Sequence, residues 1–236
     1  MNFKQRSNEK ELMDGTLSKE EWVLNLNDLA WINRYLFRLS LFTRSISALL
    51  KSTTNQPEPI TLADFACGDG AFLRAMALWA EKKSLPFNFF GYDTNPILLE
   101  SALAKKSTLP LVFANQDILS TEFAKQKFDI ITCSLFCHHL TNAQLINFFQ
   151  QVQKQARMAC IINDLHRHWL AYVGFYIISW LKKFSPITRY DGLISIRRGF
   201  TKKEIIALLQ AAGIKNYQIK WCFPFHYKII IYAKSG

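Results

Sequence analysis

From residue 60 onward the hydrophobic pattern changes its period, and no other feature of the sequence limits the fold as much. Short apolar runs (Ile60 to Phe65, Phe87 to Tyr92, Leu111 to Ala114, Phe128 to Phe136, Met158 to Asn163) alternate with stretches of helical spacing. Those stretches run from Gly70 to Glu81, from Pro96 to Lys105, and onward from Thr141-Asn142-Ala143-Gln144. A threonine followed three residues later by glutamine is a capping box, in which the two side chains satisfy free amides at a helix start. Strands alternating with helices specify a parallel sheet covered on both faces. Phe128 to Phe136 is almost continuously apolar, as a strand buried on both faces must be. Thr201-Lys202-Lys203-Glu204 caps one more helix, which stops at Gly213. Tyr217 to Trp221 and His226 to Ala233 then follow with only a short connection, which implies an antiparallel hairpin. The expected fold is α/β, a doubly wound, seven-stranded, mostly parallel sheet with that hairpin at its C-terminal edge.

The first fifty residues obey a different rule. Ser18-Lys19-Glu20-Glu21 is a capping box, and Trp22, Leu26, Leu29, Ile32 and Leu36 recur at helical spacing after it. Leu41, Phe42, Ile46 and Leu49 continue the pattern, and Thr53 to Pro59 has the composition of a linker. The organisation read from this is a helical extension or lid over residues 1–56 and a main domain over 57–236. A cap inserted at about 166–198 comprises a helix to residue 183 and an irregular basic loop over 184–198. The polar residues 1–17 are expected to be mobile.

Composition removes several classes. Half of the 236 residues are apolar, with 19 Phe and six Trp, which excludes global disorder. The longest greasy stretch, Trp169 to Leu181, is too short for a span of about 20 residues. With Lys182-Lys183 beside it, weak association with a membrane surface stays open. The N-terminus lacks the apolar core of a cleavable signal. The five cysteines are scattered among apolar residues and read as reduced, buried thiols of a cytoplasmic protein. Cys133 and Cys137 precede His138-His139, but no second ligand pair completes a set, so no metal is expected. A net charge of +11, concentrated between Lys182 and Lys220, admits a phosphate-bearing partner and equally a solvated basic face.

Chemistry concentrates at the ends of the strands. Strand one ends at Asp64 and enters Cys67-Gly68-Asp69-Gly70 before a helix; glycine permits a sharp turn and close approach of a ligand to the main chain. The helix start offers free amides. Leu73 stands where a dinucleotide loop wants a third glycine, and no Walker lysine is present. The second strand ends in Tyr92-Asp93-Thr94, where a carboxylate can accept both hydroxyls of a ribose. Asp117-Ile118 follows the third strand, and Ser134 with His138-His139-Leu140 closes the fourth, read as strand throughout. Each acid alone is an ordinary turn residue; the ordered set is not.

That set resembles the class I S-adenosylmethionine-dependent methyltransferases, a Rossmann-like family, over residues 60–236. Leu62 to Gly70 looks like the family's first motif, with Ala66 where glycine is common. Asp93 matches the ribose-binding acid and Asp117-Ile118 the pair flanking adenine. Phe128-Asp129-Ile130-Ile131, Ser134 and His138-His139-Leu140 resemble the fourth motif and its extension, in the form found in small-molecule, quinone-methylating enzymes. Leu26 to Leu36 and the tail from Asp191-Gly192-Leu193 to Thr201 resemble bacterial enzymes of polyketide and pigment pathways. The resemblance implies S-adenosylmethionine as cofactor, S-adenosylhomocysteine as product, and binding through Asp64, Ala66, Cys67, Gly68, Gly70, Asp93, Thr94, Asp117, Ile118 and Ser134. Arg34 is expected to close over the cofactor.

The implied activity is O-methylation of a small, largely apolar acceptor, a phenol, polyketide or quinone precursor, in bacterial secondary metabolism. A base is needed, and His138, His139 and His166 are the candidates, with His168 beside the last. An extended segment would point His138 and His139 in opposite directions, which leaves at most one catalytic; His139 is favoured. Asn163 and Asp164 read as caps of the next helix, Tyr172, Phe175 and Tyr176 as a wall over the acceptor, and Arg197-Arg198 as a receptor for an anionic group. The alternatives are an RNA methyltransferase, which the +11 charge favours, and a non-catalytic S-adenosylmethionine-binding subunit. Absence of an Asn/Asp-Pro-Pro-aromatic motif after strand four counts against base-amine chemistry and a nucleic-acid partner.

Overall fold

The computed structural model describes residues 3–15, 17–35, 39–52, 59–105 and 110–234. Its strands are β1 (Ile60–Phe65), β2 (Phe87–Asp93), β3 (Leu111–Asn115), β4 (Phe128–Ser134), β5 (Ala156–Leu165), β6 (Tyr217–Cys222) and β7 (His226–Tyr232). They form one seven-stranded sheet in the order β3-β2-β1-β4-β5-β7-β6. The first five are parallel, and β7 lies antiparallel between β5 and β6. From β1 the chain winds outward to β3 and then returns to place β4 on the other side of β1. Helices leaving neighbouring strands in opposite directions open a crevice at the carboxyl ends of β1 and β4, where ligands bind in such sheets.

The helices are α1 (Lys19–Tyr35), α2 (Leu39–Ser52), α3 (Ala71–Lys82), α4 (Pro96–Ala104), α5 (Asn142–Gln155), α6 (Trp169–Leu181), α7 (Pro186–Arg198) and α8 (Lys202–Ala211). Two cores flank the sheet, and the pleat decides which residue enters which. Leu62, Ile130, Ile161 and Ile230 face Phe42 and Ile46 of α2 and Leu73 and Met76 of α3. Their neighbours Ala63, Ile131, Ile162, Ile229 and Ile231 face Phe148 and Phe149 of α5 and Leu209 of α8. This alternation explains why the strands read as unbroken apolar runs. Phe128 shares a core with Ile131 because the register shifts between Phe128 and Ile130.

Four expectations change. Residues 184–198 are not an irregular loop: α7 begins at Pro186, and the Ser185 hydroxyl accepts the Thr188 amide at 3.2 Å. Proline in the first turn sacrifices only an amide that has no partner inside the helix. The fourth strand stops at Ser134 and yields to a 3-10 turn over Cys137–His139. The fifth extends to Leu165, so Asp164 is a strand residue and not a helix cap. Residues 3–15, expected to be mobile, are held: the Ser7 amide donates to the Arg197 carbonyl at 3.0 Å, and Glu11 is buried. Residues 53–58 of the expected linker lie outside the described residues.

Two glycines on the facing helices α6 and α7 respond oppositely to alanine. A Cβ on Gly192 would stand 2.2 Å from the Phe175 ring, whereas one on Gly174 would meet nothing within 4 Å. Gly174→Ala should raise the unfolding free energy by about 0.5–1 kcal/mol through helix propensity. Gly192→Ala should lower it by about 1–3 kcal/mol through overpacking. Urea unfolding of both variants measures this; equal signs would disprove the packing described.

Candidate active site

The cofactor end of the crevice is built from turns that the sheet forces into unusual backbone. Between β1 and α3 the chain reverses over Ala66 to Gly70, with Ala66 at φ 57°, Gly68 at 55° and Gly70 at 70°. Ala66, standing where glycine is common, adopts the left-handed conformation that glycine would take, at about 1–2 kcal/mol. The Cys67 amide donates to the Tyr92 carbonyl at 3.0 Å, which ties the loop to the end of β2. A second tie is the Gly68 amide, which donates to Asp93 Oδ2 at 2.8 Å. A Cβ on Gly70 would lie 2.5 Å from the Phe113 ring, so that glycine shapes the loop from beneath and does not line the cavity.

A cavity of about 1340 Å³ lies over these turns. Asp64, Ala66, Cys67, Gly68, Asp93, Thr94, Asp117, Ile118 and Ser134, all expected at the cofactor, line it. Asp93 also accepts the Asn95 amide at 2.9 Å through Oδ1, so its carboxylate is held rigid with lone pairs still free on both oxygens. Asp117 Oδ1 accepts the Leu119 amide at 2.9 Å, which presents the buried Ile118 beside it. Burial pushes the Asp64 carboxyl up to about 8, against a hydrogen bond from Thr132 Oγ1 at 2.8 Å and with help from the Asp93 charge. A cation placed beside it would draw it back to the ionised form.

Three observations fit S-adenosylmethionine to this end. No protein atom lies within 4 Å of where a Gly68 Cβ would stand. The buried Ser134 Oγ has no hydrogen-bond partner. The rigid Asp93 carboxylate stands at the neighbouring strand tip, one strand over from the loop. The side chain of Arg34 lies outside the described residues.

At the other end of the cavity His138 and His139 lie side by side, ring centroids 4.3 Å apart, and both face Glu11. The 3-10 turn, which replaces the expected extended segment, removes the alternation that would have separated them. His138 is buried, with Nδ1 2.8 Å from Asp164 Oδ1 and Nε2 3.6 Å from Glu11 Oε1. Burial alone would lower this imidazole, but the two carboxylates overcome it and raise it to about 9. His139 stays partly exposed, its Nδ1 3.1 Å from Asp14 Oδ1. Both acids are held below the ordinary carboxylate range: burial opposes ionisation, and the histidines, with Arg198 at Asp14, prevail.

Two arginines fasten the turn. Arg198 donates to the carbonyls of His138 (3.1 Å) and His139 (2.8 Å) and to Asp14 Oδ2 (3.0 Å). Arg6 reaches the carbonyls of His138 (3.0 Å) and Leu140 (2.9 Å). Arg197 pairs with Glu9 at 2.7 Å. The expected anion receptor Arg197-Arg198 is therefore committed to the protein's own carbonyls and acids.

Glu11, His138 and His139 do bring potential ligand atoms within 4.8 Å of one another. The 3.6 and 3.8 Å separations exceed the edge of about 3.3 Å that tetrahedral zinc distances require. Arg198 already supplies positive charge 3.8 Å from Glu11 Oε1. The group reads as an ion-pair network.

His166 does not line the cavity. It accepts from Trp221 Nε1 at 3.1 Å among His168, Phe225 and Tyr227, and burial with the neighbouring His168 and Arg167 holds it down at about 4. Of the three expected wall aromatics only Phe175 faces inward, beside Leu26, Leu29, Leu170 and Ile178. Glu11 and Asp14 escaped the sequence reading, which makes Asp164 only a helix cap. The available signal was two acids bracketing apolar Leu12-Met13 in an otherwise polar segment; Asp191 accepts the Leu12 and Met13 amides at 2.6 and 3.0 Å.

Because His138 is raised in the folded state, its stabilising contribution is complete below about 6.5 and disappears as pH climbs through about 9. His138→Gln should cost about 3–5 kcal/mol at pH 6 by leaving Asp164 uncompensated. It should also flatten the decline in unfolding free energy between pH 6.5 and 9, measured by urea titration. A decline of the same steepness in the variant would remove His138 as its source.

A methyltransferase-domain family model matches residues 62–157, the stretch from β1 to the start of β5. No curated protein matches the chain in sequence. Among solved structures, the plantazolicin methyltransferase BpumL with S-adenosylhomocysteine superposes with a TM-score of 0.63 at 16% identity, covering 92% of this chain and 91% of that one. Magnesium protoporphyrin IX methyltransferase of Synechocystis PCC 6803, also with S-adenosylhomocysteine, gives 0.50 at 14% identity over 94% and 90%. The methyltransferase domain of the citrinin polyketide synthase gives 0.62 at 16% identity over 93% of this chain and 58% of that one. The matched domain, the fold and the ordered strand-tip residues agree: the chain carries a methyltransferase domain, built on the fold of S-adenosylmethionine-dependent enzymes.

Proposed function

We propose that the enzyme methylates an oxygen of a small, largely apolar acceptor of phenolic, polyketide or quinone-like chemistry. The observation that carries this is the second half of the cavity. Leu26 and Leu29 of α1, Phe175 and Ile178 of α6 and Ile196 of α7 continue the same space that begins at Gly68. At about 1340 Å³ it exceeds the roughly 300–1,000 Å³ of a single-ligand pocket and has room for cofactor and acceptor together. BpumL, a structural relative, has been crystallised with azole-containing desmethylplantazolicin analogues, which supports an extended aromatic acceptor here.

S-adenosylmethionine supplies a methyl group on a positively charged sulfur. The chain's task is to hold the acceptor in line with that group and away from water. Asp93 would take the ribose hydroxyls, Asp117 and Ile118 would flank the adenine, and the backbone from Ala66 to Asp69 with Ser134 would hold the methionine end. Helix α1, with Trp22, Leu26 and Leu29 on the cavity, covers the acceptor. His139 takes the acceptor's proton: Nδ1 donates to Asp14, which leaves Nε2 as the accepting nitrogen. His138, held protonated near neutrality between Glu11 and Asp164, positions that ring and is no base itself. The RNA reading loses support because Arg197 and Arg198 of the basic stretch are spent internally. Five buried free thiols support a reducing, cytoplasmic setting.

Asp93→Ala should weaken S-adenosylhomocysteine binding about 10- to 150-fold, the equivalent of about 1.5–3 kcal/mol for charge-assisted hydrogen bonds. Unchanged calorimetric affinity would refute the ribose assignment. His139→Ala should leave that affinity within twofold and lower kcat about 10²- to 10⁴-fold on a phenolic acceptor. Turnover equal to wild type would eliminate His139 as the base.

A further inference from the structure

Helix α6 has two apolar faces and only one of them is covered. Leu170, Ala171, Gly174, Phe175 and Ile178 border the cavity. Trp169, Val173, Tyr176, Ile177, Trp180 and Leu181 point outward, with exposures from 43% for Val173 to 75% for Leu181. They fall at 169, 173, 176–177 and 180–181, one or two per turn, and draw a single stripe along the outside of the helix. Rings extend the stripe past its beginning: Trp169, His168, Phe225 and Trp221 follow one another at 6.0, 5.3 and 6.1 Å. Trp221 (45%) and Phe223 (65%) are themselves exposed.

A continuous exposed apolar face of this kind marks an interaction surface. The charge around it selects the partner. No acid occurs between Asp164 and Asp191. Lys182 and Lys183 stand exposed at the end of α6, and the Arg189 guanidinium lies 4.3 Å over the Trp180 ring. A second copy of the chain would bring the same lysines to the contact with no acid on α6 to meet them. An anionic lipid surface meets both requirements, taking the apolar stripe below its headgroups and pairing phosphates with the cations. Among the described residues no helix is long and apolar enough to cross a membrane. Tryptophan and tyrosine are the residues that settle at headgroup depth.

We propose that α6, with Trp221 and Phe223, docks flat on an anionic lipid bilayer and sets the cavity mouth against it. The inner face of the same helix borders the cavity, so a lipophilic acceptor enters from the bilayer without crossing water. That second step rests on the acceptor class proposed above; the docking does not.

The test is co-sedimentation of the purified protein with phosphatidylglycerol–phosphatidylcholine vesicles and with vesicles of phosphatidylcholine alone. Wild type should bind the anionic vesicles at least tenfold more tightly. The double variant Ile177→Ser/Trp180→Ser and the double variant Lys182→Glu/Lys183→Glu should each lose at least tenfold. S-adenosylhomocysteine binding, measured in parallel, should be retained by both, which shows that they fold. Wild type that stays in the supernatant overturns docking, as does an Ile177→Ser/Trp180→Ser variant that sediments like wild type. A wild-type dimer by light scattering that this variant converts to monomer assigns the face to a second copy and also overturns it. Failure of wild type to bind S-adenosylhomocysteine would instead strike the cofactor reading and leave the vesicle result standing.

Discussion

The His138 imidazole joins parts of the chain that are far apart in sequence. One ring nitrogen is fixed by Asp164 at the end of β5, the other faces Glu11 from the N-terminal segment, and the backbone carbonyl takes bonds from both Arg6 and Arg198. A charge so placed is costly to bury alone and cheap to bury among partners. Glu11, Asp14 and Asp164 provide negative charge, Arg6 and Arg198 the matching positive charge, and the 137–139 turn becomes a fixed wall of the cavity. The position of His139 beside Asp14, and that of α7 over the acceptor space, both follow from this network. Without it the N-terminal segment has little reason to lie where it does, since few of its side chains are apolar and buried.

The sheet supplies the other half of the site by geometry alone. Parallel strands end at the same edge, so turns that are distant in sequence meet there. The tie between Gly68 and Asp93 joins two of these turns and orients the carboxylate before any ligand arrives. Both Ala66 and Leu135, at the tips of β1 and β4, adopt positive φ despite their side chains. Strain at the two tips nearest the switch of winding direction is the local cost of bringing backbone amides and carbonyls to face one small volume.

Features with a local cause were legible in the sequence. Asp64, Gly68, Asp93, Asp117 and Ser134 stand at or just beyond the end of a strand whose apolar pattern is visible, and all of them line the cavity. The capping boxes at Thr141 and Thr201 could be read because cap and partner are three residues apart. What escaped depends on distance. Glu11 meets His138 across the whole of the sheet's first half, and nothing near either residue announces the other. Helix α7 hid for a different reason. It buries Thr188, Asp191 and Arg198 alongside Ile187 and Ile194, so polar residues face inward and the usual apolar stripe is missing. The pair His138-His139 was placed on opposite sides because a strand was assumed; a 3-10 turn brings consecutive rings together.

The N-terminal segment has a further meaning when the chain is followed from end to end. Arg6 bonds to the carbonyl of Arg198, 192 residues later, and Leu12 to the side chain of Asp191. Residues 6 and 12 thus find these partners only in a part of the chain 192 and 179 residues further on. The residues expected at the cofactor, from Asp64 to Ser134, all come from the stretch between β1 and β4. The far end of the cavity closes only where residues 6–14 meet residues 191–198, a contact on which the cofactor cradle does not depend.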